Sequence, residues 1–243
     1  MGKYFNVNLE FDKLKVDQII QSTIEQKEKG YVCSVEGNIL SVANTDDAYN
    51  IIVNNSIVNI CDGNSIAMLA SLIHRKKYKT YIGADLFIKY IRMAKYKSFF
   101  LGNTEEVLAG LKANLVQFDS AINEMKFQTL PFHKVEDFDY PAIAEMVNKD
   151  NPDIIWVSLG APKQEEFMAN LCPHINRGVM FGFGAILNFY SGIGENKRAP
   201  KLLLSLKLEW LYRILTQQKR IRIRAFQYIK ILPKIILQEY KTK

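Results

Sequence analysis

Read for the spacing of its apolar and polar positions, the 243-residue chain alternates short β-branched or aromatic runs with longer amphipathic stretches. The runs at 39–43, 56–61, 98–102, 126–130, 153–160 and 178–184 predict strands. The stretches at 14–28, 45–54, 64–75, 84–95, 104–117, 139–149 and 163–170 predict helices. Several of the strands are apolar nearly throughout, as happens where helices cover both faces of a sheet. The alternation therefore predicts an α/β fold with a largely parallel sheet, flanked by helices and binding its ligands at the carboxyl ends of the strands. There is no internal repeat and no low-complexity linker.

Three predicted strand ends carry polar or glycine-rich turns: Asp62-Gly63-Asn64, Gly102-Asn103-Thr104-Glu105, and Gly160-Ala161-Pro162-Lys163-Gln164-Glu165. Thr104 is placed to cap a helix whose free amides can face a phosphate. Any one of these turns reads better as an ordinary connection, so only their combination is informative. Gly182-Phe183-Gly184 continues as Ala185-Ile186-Leu187, without the third small residue of a dinucleotide fingerprint and without an acidic residue about 20 positions on. A P-loop is absent as well. NAD-dependent redox chemistry and P-loop ATP hydrolysis are both disfavoured.

Composition changes the picture at one end of the chain. Hydrophobic residues at 48% and charged residues at 23% are ordinary globular values. The net charge of +7, however, is divided unevenly: residues 197–243 carry +11 and residues 1–196 carry −4. This asymmetry sets a body at 1–196 apart from a basic helical appendage at 197–243 and suggests an anionic partner. Within 220–234, Arg220, Arg224, Gln227, Lys230 and Lys234 fall on one helical face, and Ile221, Ala225, Tyr228, Ile229, Leu232, Ile235 and Ile236 on the other. The helical pattern is expected to break at Pro233. A basic amphipathic helix of this kind suits an anionic membrane surface. It also suits a terminal helix whose apolar face packs on the body. Nucleic acid is not expected, because Trp210, Tyr212, Phe226 and Tyr228 lie within the apolar periodicity instead of forming a stacking platform.

Cys33, Cys61 and Cys172 are odd in number and lack C-x-x-C spacing, which fits a reducing compartment. The opening MGKYFNVNLEFDK has no apolar leader, and no apolar run approaches the roughly 20 residues of a spanning helix. These features predict a cytoplasmic protein that meets the inner face of the plasma membrane peripherally. Asp46-Asp47 and Asp137-Phe138-Asp139 stand at predicted helix starts, where capping explains them. No metal or other cofactor is expected, and a homo-oligomer remains open.

Three strings taken together resemble the bacterial WecG/TagA/CpsF glycosyltransferases. They are Cys61-Asp62-Gly63, VSLGAPKQEEF from Val157 to Phe167, and the C-terminal series GFGAILNFYSG (182–192), NKRAP (196–200) and LEWLYRIL (208–215). The resemblance implies a Rossmann-like core with a membrane-docking appendage. It also implies metal-independent, inverting transfer of an N-acetylmannosamine-type sugar from a UDP donor to a polyprenyl-diphosphate-linked saccharide, in the synthesis of teichoic acid or another cell-surface polymer. Asp62 matches the family's proposed catalytic base, a role that suits a carboxylate at a strand end. The resemblance further assigns substrate contacts to Asn44, Gly102, Asn103, Gly160, Pro162, Lys163, Gln164, Glu165 and Asn188. Of these, Gln164 is a candidate for hydrogen-bonding the donor, whereas Glu165 can simply start a helix after Pro162.

Arg213, Arg220 and Arg224 match appendage arginines assigned to the diphosphate, which guanidinium groups bind bidentately. Lys197 and Arg198 are further candidates that solvated charges explain equally well. The sequence departs from the family at Val42 and Thr80, where threonine and arginine are usual, and at Asn188, where many members have aspartate. Two rival expectations come from other classes: a non-catalytic, membrane-associated nucleotide-sugar-binding subunit, and a nucleic-acid-binding protein using the basic end.

Overall fold

The computed structural model describes residues 1–193 and 219–242. Eight strands are present: β1 (Gly2–Tyr4), β2 (Val7–Leu9), β3 (Lys29–Val35), β4 (Val58–Cys61), β5 (Ser98–Gly102), β6 (Lys126–Gln128), β7 (Ile154–Ser158) and β8 (Gly178–Gly182). The first two form a small antiparallel hairpin, closed by Phe5 and Asn6 at positive φ. The other six form one parallel sheet in the order β4-β3-β8-β7-β5-β6. The helices are α1 (Lys13–Glu25), α2 (Gly37–Ala43), α3 (Asp47–Asn54), α4 (Asn64–His74), α5 (Gly83–Arg92), α6 (Glu105–Leu115), α7 (Tyr140–Asp150), α8 (Lys163–Leu171), α9 (Gly184–Ser191) and α10 (Lys219–Thr242).

Alternation along the strands produces two apolar layers, because successive side chains leave opposite faces of a sheet. Tyr31, Cys33, Val35, Phe99, Leu101, Ile155, Val157 and Met180 point to one face, under α2, α3, α4, α7, α8 and α10. Val32, Ile60, Phe100, Trp156, Val179 and Phe181 point to the other, under α1, α5, α6 and α9. On this second face Trp156 packs edge-on against Phe87, with ring centroids 4.9 Å apart, and its indole N–H donates to Ser98 Oγ. The predicted α/β architecture with a parallel sheet is observed.

Several elements differ from the sequence reading, among them the hairpin β1–β2 and helix α9, which no predicted strand or helix covers. The run 39–43 is helical, as the second half of α2, because the Glu36 carboxylate accepts from the amides of Asn38 and Ile39 and starts a helix there. The strand of that region is Lys29–Val35, and it lies second from one edge of the sheet. Helix α10 also runs through Pro233 without a break. Pro233 is on the solvent side, while Ile231 and Ile235 on either side of it are buried against the body.

The sheet topology determines where a ligand can sit. Adjacent strands β3 and β8 are followed by helices on opposite faces, α2 and α9, which makes their carboxyl ends the topological switch point where a sheet of this kind places its ligand crevice.

Candidate active site

The residues around this crevice come from the connections after β3, β4, β5, β7 and β8. After β4, Asp62 donates its amide to the Val35 carbonyl, and its Oδ2 accepts from Ser34 Oγ at 2.9 Å. Helix α4 starts at Asn64, with Gly63 as its cap. The N-cap position of α4 is thus Gly63, and Asp62 Oδ2 is turned toward Ser34 at the end of β3. Gly83 at the start of α5 allows a close approach: a Cβ there would lie 3.1 Å from Ser34 Oγ and 3.3 Å from Asp62 Oδ2. Glu36, at the end of β3, faces the same space. Burial raises its carboxyl above the usual range, two amide hydrogen bonds oppose that, Asp62 raises it further, and Arg224 lowers it.

Arg224 is the direct link between α10 and the strand ends. Its guanidinium donates to the Ala161 carbonyl at 2.8 Å, in the turn after β7. The approach is fixed by the packing of α10 below it. Tyr228 lies against Gly37 and hydrogen-bonds Ser65, and Ile231 and Ile235 enter the core. Buried Glu239 pairs with His74 at 2.7 Å and accepts from the Phe5 amide.

The turn after β7 is organised by Gln164. Its Oε1 accepts from the amides of Gly160 (3.1 Å) and Gly184 (3.3 Å), and its Nε2 donates to the Gly182 carbonyl (2.6 Å) and to Glu165 Oε1 (2.9 Å). With both ends of the amide so engaged, Gln164 ties the β7 and β8 ends together. Glu165 is fully buried and also accepts from Tyr49 Oη at 3.1 Å. Burial pushes its carboxyl up to about 7, opposed by the hydrogen bonds from Gln164 and Tyr49.

The remaining predicted residues divide between the crevice and elsewhere. Gly102, at φ +97°, turns the chain after β5 where a Cβ would lie 2.8 Å from the Ser158 carbonyl oxygen. Asn103 follows at φ +68°, and its Nδ2 donates to Ser158 Oγ (2.7 Å) and Asn188 Oδ1 (2.6 Å). Thr104 caps α6, as expected, by accepting from the Val107 amide. Gly160 has positive φ, and Pro162 starts α8 after a cis peptide bond. Lys163 turns away to the His133 carbonyl and the Phe138 ring. Asn44 is also apart: it ends α2, and its amide donates to the carbonyls of Phe5 and Leu40, tying α2 to the hairpin. Thr80 donates weakly to Asn64 Oδ1 at 3.5 Å. Lys197, Arg198 and Arg213 lie outside the described residues, and Arg220 precedes the first described side chain of α10.

Ser34 and Glu36 were missed by sequence reasoning. Their signal was the apolar run Tyr31-Val32-Cys33-Ser34-Val35 ending at an acidic residue before Gly37, which is another strand followed by a capped helix. Asp46 and Asp139 cap α3 and α7, as expected of those acidic pairs.

The arrangement joins a carboxylate held by a hydroxyl, an arginine at the rim, and the positive amino ends of α4, α6, α8 and α9. Such a site can accept a proton from a hydroxyl and place positive charge near an anionic group. A family model described as the glycosyl transferase WecG/TagA/CpsF family matches residues 4–243. The N-acetylglucosaminyldiphosphoundecaprenol N-acetyl-beta-D-mannosaminyltransferase of Bacillus subtilis (strain 168) is 26% identical over 234 residues, which span 94% of this chain and 87% of that protein. The enzyme of the same name from Staphylococcus aureus (strain NCTC 8325 / PS 47) is 26% identical over 197 residues, 79% of this chain and 74% of that protein. The chain belongs to the WecG/TagA/CpsF family and is a glycosyltransferase.

Proposed function

We propose that this glycosyltransferase moves an N-acetylmannosamine-type sugar from a UDP donor to a polyprenyl-diphosphate-linked saccharide, with inversion, in teichoic acid or related cell-surface polymer synthesis. The observation that carries the reading is the placement of Asp62 at the carboxyl end of β4, bonded to Ser34 and within electrostatic reach of Glu36 on the crevice. In the proposed reaction Asp62 takes the proton of the acceptor hydroxyl as its oxygen attacks the anomeric carbon. The bond from that carbon to the diphosphate breaks, and UDP leaves with the electron pair. The new bond forms on the opposite face, which gives inversion.

Positive charge for the diphosphates is assigned to Arg224, with Arg213 and Arg220 in the same segment of sequence, and to helix amino ends. Lys197 and Arg198 remain candidates for the same task. Asn103, Ser158 and Asn188 form a hydrogen-bonded set beside the crevice and are assigned to the donor, with Gly102 and Gly160 supplying the tight turns. Gln164 and Glu165 are assigned the support of those turns.

The same reading places the enzyme peripherally at the membrane that carries its acceptor, with residues 197–243 as the docking appendage. Among the described residues no helix is long and apolar enough to cross a membrane. Of the apolar face of α10 read from the sequence, Ile235 is buried against the body and Ala225, Tyr228, Leu232 and Ile236 are partly buried, whereas Ile229 is exposed. A second apolar set on the outer side of α10, including Ile223, Phe226, Ile229 and Leu237, is exposed, with Lys230 and Lys234 also exposed on α10. This outer face is the one proposed to contact lipid.

The test is UDP release from UDP-N-acetylmannosamine in the presence of a short-chain lipid-diphosphate N-acetylglucosamine. Turnover that needs both substrates and yields the inverted disaccharide supports the reading. Donor breakdown without dependence on the acceptor would overturn it.

A further inference from the structure

Helix α4 leaves the crevice directly after Asp62 and buries Ile66, Ala67, Ala70 and Ile73. Its opposite side carries two long apolar residues one turn apart: Met68 is 66% exposed and Leu72 is 70% exposed. The helix ends at Arg75, in the left-handed conformation, and the chain continues as Lys76-Lys77-Tyr78-Lys79. Arg75, Lys76, Lys77 and Lys79 are exposed, and no acidic residue occurs between Asp62 and Asp85. Among the described residues none of these four cations is in an ion pair.

Tyr78 does not share this outward position. Its phenol meets Tyr4 and its ring packs on Phe11, which anchors the basic turn to the hairpin. Helix α10 packs on α4 through Ser65 and His74, so the proposed lipid-facing helix and α4 are neighbours in one helical layer of the body.

We propose that the outer face of α4 and the basic turn after it form a second membrane contact on the catalytic body, seated on anionic lipid headgroups. The inference rests on the peripheral reading given above and adds a surface outside the C-terminal segment. An apolar ridge edged by unpaired cations has the chemistry of an interfacial helix, in which the apolar side chains enter the headgroup boundary while the cations meet lipid phosphates. The position matters for catalysis: Leu72 lies about 12 Å along the helix axis from Asn64, two residues after Asp62. Seating α4 on the bilayer brings the mouth of the crevice close to the plane in which a lipid-linked diphosphate sits.

Co-sedimentation of the full chain with vesicles tests this, using pure phosphatidylcholine and an equimolar mixture with phosphatidylglycerol. Wild type is expected to bind the anionic vesicles and not the neutral ones. The charge variant K76E/K77E is expected to weaken partitioning at least about twentyfold, from about fivefold per surface-proximal cation lost. M68S/L72S should weaken it about tenfold or more. K126E/K149E makes the same change in net charge at exposed positions of β6 and α7, near the opposite edge of the sheet, and should weaken binding less than about threefold.

Equal losses in the two charge variants would overturn the proposal, since net charge alone would then account for binding. Unchanged binding of K76E/K77E would overturn it too, as would failure of wild type to bind. So would salt-dependent oligonucleotide binding by wild type that is lost in K76E/K77E, because that assigns the basic turn to nucleic acid. Turnover with a water-soluble short-chain acceptor is expected to survive in both α4 variants. Its absence in wild type would instead count against the transfer reading, so the two failures are distinguishable.

Discussion

Replacing Glu165 by glutamine removes a titratable group from the interior while leaving a side chain of the same shape. Glu165 is fully buried, with its oxygens accepting from Gln164 Nε2 and Tyr49 Oη. Burial raises its carboxyl from 4.5 to about 7. Between those values the folded chain holds a proton that the unfolded chain has released. The stability associated with this group is therefore fully present below pH about 4.5, falls as pH rises toward 7, and stays at its lower level above that. At about 1.4 kcal/mol per pH unit across that interval, the penalty above pH 7 is about 3 kcal/mol. For a chain of this length, that corresponds to roughly 6 to 12 °C in melting temperature.

Glu165→Gln can keep both hydrogen bonds, because its carbonyl accepts from Gln164 and the Tyr49 hydroxyl can rotate to accept from its amide. Urea unfolding of wild type and variant at pH 5 and pH 8.5 reads the difference. The variant is expected to be the more stable by about 3 kcal/mol at pH 8.5 and by less than about 1 kcal/mol at pH 5. A variant that is equally or less stable than wild type at pH 8.5 would refute the reasoning, because the charged form would then be well accommodated.

Other substitutions separate chemistry from support. Asp62→Asn should reduce turnover about 100-fold or more, with an unfolding midpoint close to wild type. Gln164→Ala leaves the amides of Gly160 and Gly184 and the Gly182 carbonyl without their partner. Urea unfolding should show a loss of at least about 3 kcal/mol, with a fall in kcat from the disordered turns. Ile235→Ala, at a position with no exposure, should cost about 2 to 5 kcal/mol and weaken the docking of α10; limited proteolysis after residue 218 should then become faster.

How much of this was legible in the sequence depended on whether a single pattern could settle the local structure. Strands β4 to β8, and the turns after β4, β5 and β7, were readable because β-branched or aromatic runs end there at Asp62-Gly63, Gly102-Asn103 and Gly160. Strand β3 was not, since Tyr31–Val35 and Ile39–Ala43 are both short apolar runs, and periodicity alone does not tell a buried strand from a short helix. The decision was made by Glu36, whose carboxylate caps two amides and turns the second run into α2. Missing β3 hid Ser34, which hydrogen-bonds Asp62, and Glu36, whose carboxyl Asp62 raises.

Side-chain roles were less legible than side-chain positions. Gln164 stood in a recognisable string, yet its amide holds backbone groups from two strands, a task that depends on β7 and β8 being neighbours. Asn44 likewise serves the hairpin, which is distant in the pattern but adjacent in space. In α10 the heptad-like spacing was visible, but which apolar set faces the body was not. Both sides of the helix carry large apolar residues, and the burial of Ile235 and Glu239 decides between them.

The most direct test of the account is the pH-8 turnover of UDP-N-acetylmannosamine with a short-chain lipid-diphosphate N-acetylglucosamine, measured for wild type and Asp62→Asn as disaccharide formed. Wild type is expected to give an acceptor-dependent product of inverted configuration, and the variant about 100-fold less of it. Equal product from both proteins would contradict the assignment of Asp62 as the base at the centre of this site.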